Sequence, residues 1–99
     1  MQPLAPLDPE EIQKTLAGLP GWTWSREALE RCFTFADFSA ALGFIVRVGL
    51  AAERLDHHPE IHHVYARVVL RLNTHAAGDK VTMRDVALAR AIQDLAPGG

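Results

Sequence analysis

The sequence predicts an α+β domain: an antiparallel four-stranded sheet with three helices on one face, in the order α-β-β-α-β-β-α. Three observations carry this. Three stretches repeat apolar residues at helical spacing behind recognisable caps. Two pairs of short stretches read as strands joined by hairpin-length connections. Hairpins make antiparallel sheets, and helices set between hairpins must bury their apolar stripes against such a sheet. The length, 99 residues, is that of a single domain spanning 1–99, with an ordered core expected over about 7–96.

The first helix is announced by Asp8-Pro9-Glu10-Glu11. Asp8 serves as N-cap, Pro9 fits the first turn, and Glu11 stands where a capping box needs a carboxylate. Ile12, Leu16 and Leu19 form its apolar stripe, and Gly18 to Gly21 stops it. Two strands follow, Gly21 to Ser25 and Leu29 to Phe35, joined by Ser25-Arg26-Glu27-Ala28. Trp22 and Trp24 share one face of the first, and Phe33 and Phe35 one face of the second.

The longest helix is expected over Asp37 to Leu55, with Asp37 as N-cap and Pro59 closing the region. Phe38, Leu42, Ile45, Gly49 and Ala52 make its main stripe; Phe44, Val48 and Ala51 make a second one off it. A helix apolar on more than one side has more surface than one domain covers. The second stripe, Phe44 and Val48, is therefore expected to meet another copy of the chain, giving a homodimer or homotetramer through helix 37–55.

Ile61 to Tyr65 and Val68 to Asn73 read as the second hairpin. Its turn at Ala66-Arg67 is weakly marked, so one continuous strand is an alternative. Thr82 and Asp85 suggest a second capping box. The last helix runs from Val86 to Leu95 and buries Leu88, Ala91, Ile92 and Leu95. The ends, Met1 to Leu7 and Pro97 to Gly99, read as loose.

Composition narrows the function. Net charge is −2, with no block of lysine or arginine, which argues against nucleic-acid or anionic-lipid binding. The apolar run Ala40 to Val46 is too short to cross a bilayer, and the N-terminus has no signal-peptide pattern. The one cysteine, Cys32, cannot close an internal disulfide, in keeping with a reducing cytoplasm.

The chemistry-bearing residues are the five histidines, all between His57 and His75. Spacing leaves three readings. A metal site would use His58 and His62 at i,i+4, but Pro59 interrupts the helix they would need, and no Cys pair or His-Glu-x-x-His motif accompanies them. A solvated loop would leave His57 and His58 capping a helix C-terminus, with Asp85 a plain cap. An acid–base site would set His57 and His58 at a helix end against His75 arriving from a strand end, around a flat polar substrate.

Resemblance adds to this. Glu53-x-x-x-His57-His58-Pro59, then Tyr65, Thr74-His75 and Asp85, resembles the signature of the pterin-4a-carbinolamine dehydratase family. Ala52 to Glu60 is similar to that family's central segment, and Leu19-Pro20-Gly21-Trp22 and Phe35-Ala36-Asp37-Phe38 match further family patterns. The likeness runs from about Leu7 to Leu95. It implies a dehydratase that removes water from a 4a-hydroxytetrahydropterin to give a quinonoid dihydropterin, with no cofactor and no metal. It implies His57, His58 and His75 as the catalytic set, supported by Glu53 and Asp85. His62 and His63 stand where many members carry an aromatic residue and an asparagine, and are not carried over. The different-class alternative is a non-catalytic dimerisation or assembly-cofactor module of the same fold.

Overall fold

A computed structural model describes residues 5–96. The expectations for Met1 to Leu4 and for Pro97 to Gly99 fall outside them. The elements are α1 (Pro9–Ala17), β1 (Thr23–Ser25), β2 (Ala28–Thr34), α2 (Phe38–Leu55), β3 (Glu60–Val64), β4 (Arg67–Leu72) and α3 (Met83–Leu95), with a short 3-10 turn at His75–Ala77. The strands form one antiparallel sheet in the order β1-β2-β4-β3.

Local chemistry sets the helix starts. Asp8 and Glu11 exchange the two bonds of a capping box, and Thr82 and Asp85 do the same for α3. Asp37 Oδ1 accepts from the Ala40 N–H at 2.8 Å, capping α2. Leu7 is not loose: its N–H donates to Val81 O at 2.8 Å, and its side chain packs on the core.

Antiparallel register places Leu29 opposite Leu72 and Phe33 opposite Val68, so one sheet face presents Leu29, Phe33, Val68, Leu70 and Leu72. All three helices cover that face. Ile12 of α1, Phe44 and Val48 of α2, and Leu88 and Ile92 of α3 belong to the same apolar core. The other face carries Glu30, Cys32, Arg71 and His62. In α3 the fully buried apolar residues are Val86, Leu88, Ala89 and Ile92. Ala91 and Leu95, expected in that stripe, are only half-buried.

The orientation of α2 corrects part of the sequence expectation: Ile45 and Ala52 of the expected main stripe do pack on the core, but Phe38 and Leu42 do not, and Phe44 and Val48, expected to meet another copy, point inward. Phe44 and Val48 are 0 % exposed, with the Phe44 ring 4.8 Å from Phe33 and 5.0 Å from Phe35. The outward residues are Phe38, Leu42, Val46 and Leu50, between 45 % and 59 % exposed. Both stripes are apolar, so periodicity gave no basis for choosing between them; Phe33 on β2 and Phe35 just after it supply the partner that fixes the choice.

The first hairpin turns at Arg26-Glu27, both left-handed (φ 49° and 64°). A side chain there costs about 1–2 kcal/mol per residue. Arg71 holds the turn by donating to Ser25 O at 3.3 Å and Arg26 O at 3.2 Å. Asn-Gly in place of Arg26-Glu27 is expected to raise the thermal midpoint by a few degrees, since that pair adopts this turn without strain. A lower midpoint by calorimetry would contradict this. The second hairpin does form, but it turns at Tyr65-Ala66, with Tyr65 left-handed (φ 52°), not at Ala66-Arg67.

No helix among the described residues is long and apolar enough to cross a membrane.

Candidate functional site

The site is built where α2 ends and α3 begins. Asp56 takes the left-handed conformation (φ 51°, ψ 44°) directly after α2. The Asp56 N–H then reaches Glu53 O, and the His57 N–H reaches Ala52 O at 3.1 Å, closing a Schellman turn. The helix thus stops at Leu55 by its own cap, before Pro59 acts. The turn folds His57 back against the domain, leaving it 8 % exposed, while His58 stays outside.

His57 meets Asp85, which is 0 % exposed. Its Nε2 lies 2.5 Å from Asp85 Oδ1. The other carboxylate oxygen, Oδ2, accepts from the Thr82 N–H at 2.8 Å and from Thr74 Oγ1 at 2.9 Å. Asp85 is therefore both helix cap and histidine partner, one oxygen for each task. An ionised carboxylate only accepts, so Nε2 carries the proton in this pair. Among the described residues Nδ1 has no hydrogen-bond partner, which leaves it able to exchange a proton. A cleft of about 370 Å³ opens here, lined by Leu55, His57, Met83, Arg84 and Ala87.

The other expected site residues are held differently. Glu53 Oε1 bonds His58 Nε2 at 2.6 Å, so it orients His58 and not His57. His75 does not end a strand: β4 stops at Leu72, and His75 opens the 3-10 turn. Its side chain is 97 % exposed and is bonded through Nδ1 to Asp79 Oδ1 at 2.8 Å. Thr74, one residue earlier, joins this turn to Asp85, and so brings the His75 backbone beside the His57–Asp85 pair. No hydrogen bond links the three imidazoles to one another among the described residues.

His62 and His63 lie apart from the cleft. His62 bonds Glu60 at 2.7 Å, and this hydrogen bond holds the Glu60 carboxyl below its ordinary value. The His63 ring stacks on Phe38 at 4.8 Å. Sequence reasoning missed Asp79 and Arg84. The i,i+4 spacing of His75 and Asp79 was the available signal for the first; for Arg84 there was none beyond its place before Asp85. Among the described residues no group of three or more His, Cys, Asp or Glu side chains is arranged to hold a metal ion.

The family model for pterin 4 alpha carbinolamine dehydratase matches residues 5–95. The chain belongs to this family. A relative from Opitutus terrae, named "Putative pterin-4-alpha-carbinolamine dehydratase", is 49 % identical over 85 residues, covering 86 % of this chain and 88 % of that protein. A relative of the same name from Rhizorhabdus wittichii is 50 % identical over 95 residues, covering 94 % and 97 %. The crystal structure of a transcriptional coactivator/pterin dehydratase from Brucella melitensis superposes with a TM-score of 0.87 at 40 % identity, covering 93 % of this chain and 99 % of that one. The element order and four-stranded antiparallel sheet expected from the sequence are thus those of a pterin dehydratase fold.

Proposed function

We propose that the protein is a 4a-hydroxytetrahydropterin dehydratase that serves in the cytoplasm to recycle the tetrahydropterin of aromatic amino acid hydroxylases. The observation that carries this is the buried Asp85–His57 pair on the wall of the cleft, in a chain of this family. The reaction breaks the C4a–O bond, with the electron pair leaving on oxygen. A proton joins that oxygen to make water, and loss of the N5 proton supplies the pair that forms C4a=N5. The chemistry asks for one group that gives a proton and one that takes it, and histidine does both near neutrality.

In this reading His57 and His75 exchange protons with the reacting centre. Asp85 fixes the tautomer and ring plane of His57. His58, steadied by Glu53, holds the pterin. The chain works as a homodimer or homotetramer through α2, whose outward row Phe38, Leu42, Val46 and Leu50 is the apolar surface left to cover.

Turnover of a 4a-hydroxytetrahydropterin by the purified protein is the first test. His57→Ala and His75→Ala are each expected to lower it by about 10²–10⁴. The His75 variant should keep wild-type stability, because so exposed a side chain leaves no cavity. The two losses should differ between the resolved 4a-hydroxy stereoisomers, each of which presents its leaving group to one face. Equal losses on both isomers would reject an arrangement in which His57 and His75 approach opposite faces of the pterin ring. Near-wild-type turnover in both variants would reject these catalytic roles, and a folded wild-type protein without turnover would favour the non-catalytic assembly module.

A further inference from the structure

Arg84 shares the cleft wall with His57 and has no assigned task. It sits in the first turn of α3, half-buried, beside the apolar Leu55, Met83 and Ala87. Among the described residues its guanidinium makes no ion pair and no side-chain hydrogen bond. Its backbone N–H donates to Thr82 Oγ1 at 3.2 Å. The adjacent Asp85 does not neutralise it, because both Asp85 oxygens are taken by His57, Thr74 and Thr82. A permanently charged, donor-only group is thus left facing a cleft whose other lining is largely apolar.

We propose that Arg84 is the residue that recognises the 4-oxo group of the pterin and so selects 4-oxo over 4-amino pteridines. This rests on the dehydratase reading. A guanidinium only donates, so its partner must be an acceptor. On the pterin ring the acceptor next to the reacting carbon is O4, borne by the carbon bonded to C4a. With His57 acting at that edge, the cation beside it in the same cleft meets O4. Loss of the N5 proton then exposes a second acceptor on the same edge, and a forked guanidinium takes two parallel acceptors. A 4-amino pteridine offers N–H groups to the same fork, a donor–donor clash that excludes it.

Arg84→Met keeps the apolar stem and removes the donors; Arg84→Lys keeps the charge and loses the fork. Both should fold, checked by an unchanged unfolding midpoint, since no intramolecular bond of the side chain is lost. The probes are 6-methyl-7,8-dihydropterin, a non-reacting ligand with the O4 and N5 acceptors, and its 4-amino counterpart, titrated by fluorescence. Wild type is expected to bind the 4-oxo compound roughly 10–100-fold more tightly than the 4-amino one. Arg84→Met should lose that preference by weakening 4-oxo binding, and Arg84→Lys should recover part of it. In turnover, Arg84→Met should raise KM much more than it lowers kcat, unlike His57→Ala. Undiminished preference in Arg84→Met would overturn the assignment while leaving the dehydratase standing. Failure of the wild-type protein to bind either compound would overturn both.

Discussion

Replacing Asp85 with alanine is expected to cost about 3–5 kcal/mol of stability, as removal of one member of a buried pair does. The carboxylate has no exposure and engages three partners at once: His57, Thr74 and Thr82. It caps α3, ties Thr74 to the start of the 3-10 turn, and holds His57 at the end of α2. Its loss strands the Thr82 N–H in the interior, at the cost of that group's desolvation, and leaves the Thr74 hydroxyl with only the Thr82 hydroxyl as partner. For a domain of this size the total is a large share of the whole stability. Asp85→Asn separates the two functions. It keeps the volume but turns one oxygen into a donor, which opposes either the Thr82 N–H or the protonated His57 nitrogen. Turnover is then expected to fall by about 10²–10⁴ with a milder loss of stability. Urea unfolding and turnover of both variants check this. An Asp85→Asn protein with wild-type turnover would mean that the pair does not set the state of His57.

The second large effect lies on α2. Phe44→Ala should destabilise by about 3–5 kcal/mol, because it empties a site closed by Phe33, Phe35 and the rest of the core. Val46, 57 % exposed and on the opposite side of the helix, should behave otherwise. Val46→Glu is expected to leave the fold within about 0.5 kcal/mol of wild type as a monomer while lowering the assembly state. Chemical unfolding and light scattering distinguish the two. A Val46→Glu protein with the wild-type mass, together with a stable Phe44→Ala protein of lower mass, would restore the opposite orientation of the helix.

His57, His58 and His75 could be singled out from the sequence as candidates because all five histidines lie between His57 and His75 and because a family resemblance spread along the chain includes these three. The manner in which each histidine is held was not. His58 and Glu53 are five residues apart, His75 and Asp79 four, and both pairs lie on the surface. His57 and Asp85 are 28 residues apart and meet only because the cap of α2 and the cap of α3 are brought together on one sheet face. The sequence left Asp85 between a cap and a site contact, and the structure makes it at once the cap of α3 and the partner of His57.

What the sequence determined by itself is what short-range chemistry controls. The starts of α1 and α2 follow from Asp8 and Asp37, whose side chains satisfy N–H groups three residues on, whatever the rest of the chain does; Thr82 likewise caps α3, which begins at Met83 and not at Val86 as expected. The pairing of β1 with β2 follows from alternation and turn length in the same way, whereas the pairing of β2 with β4, which joins the two hairpins, is a tertiary contact. What only the tertiary structure decided is which surface of an all-round apolar helix turns inward, and which polar groups meet across the sheet. The first depends on the shape offered by Phe33 and Phe35, since the apolar transfer gain is nearly equal for either stripe of α2 and carries no direction. The second depends on burial: a carboxylate removed from water must find every partner it can, and Asp85 found His57, Thr74 and Thr82 together.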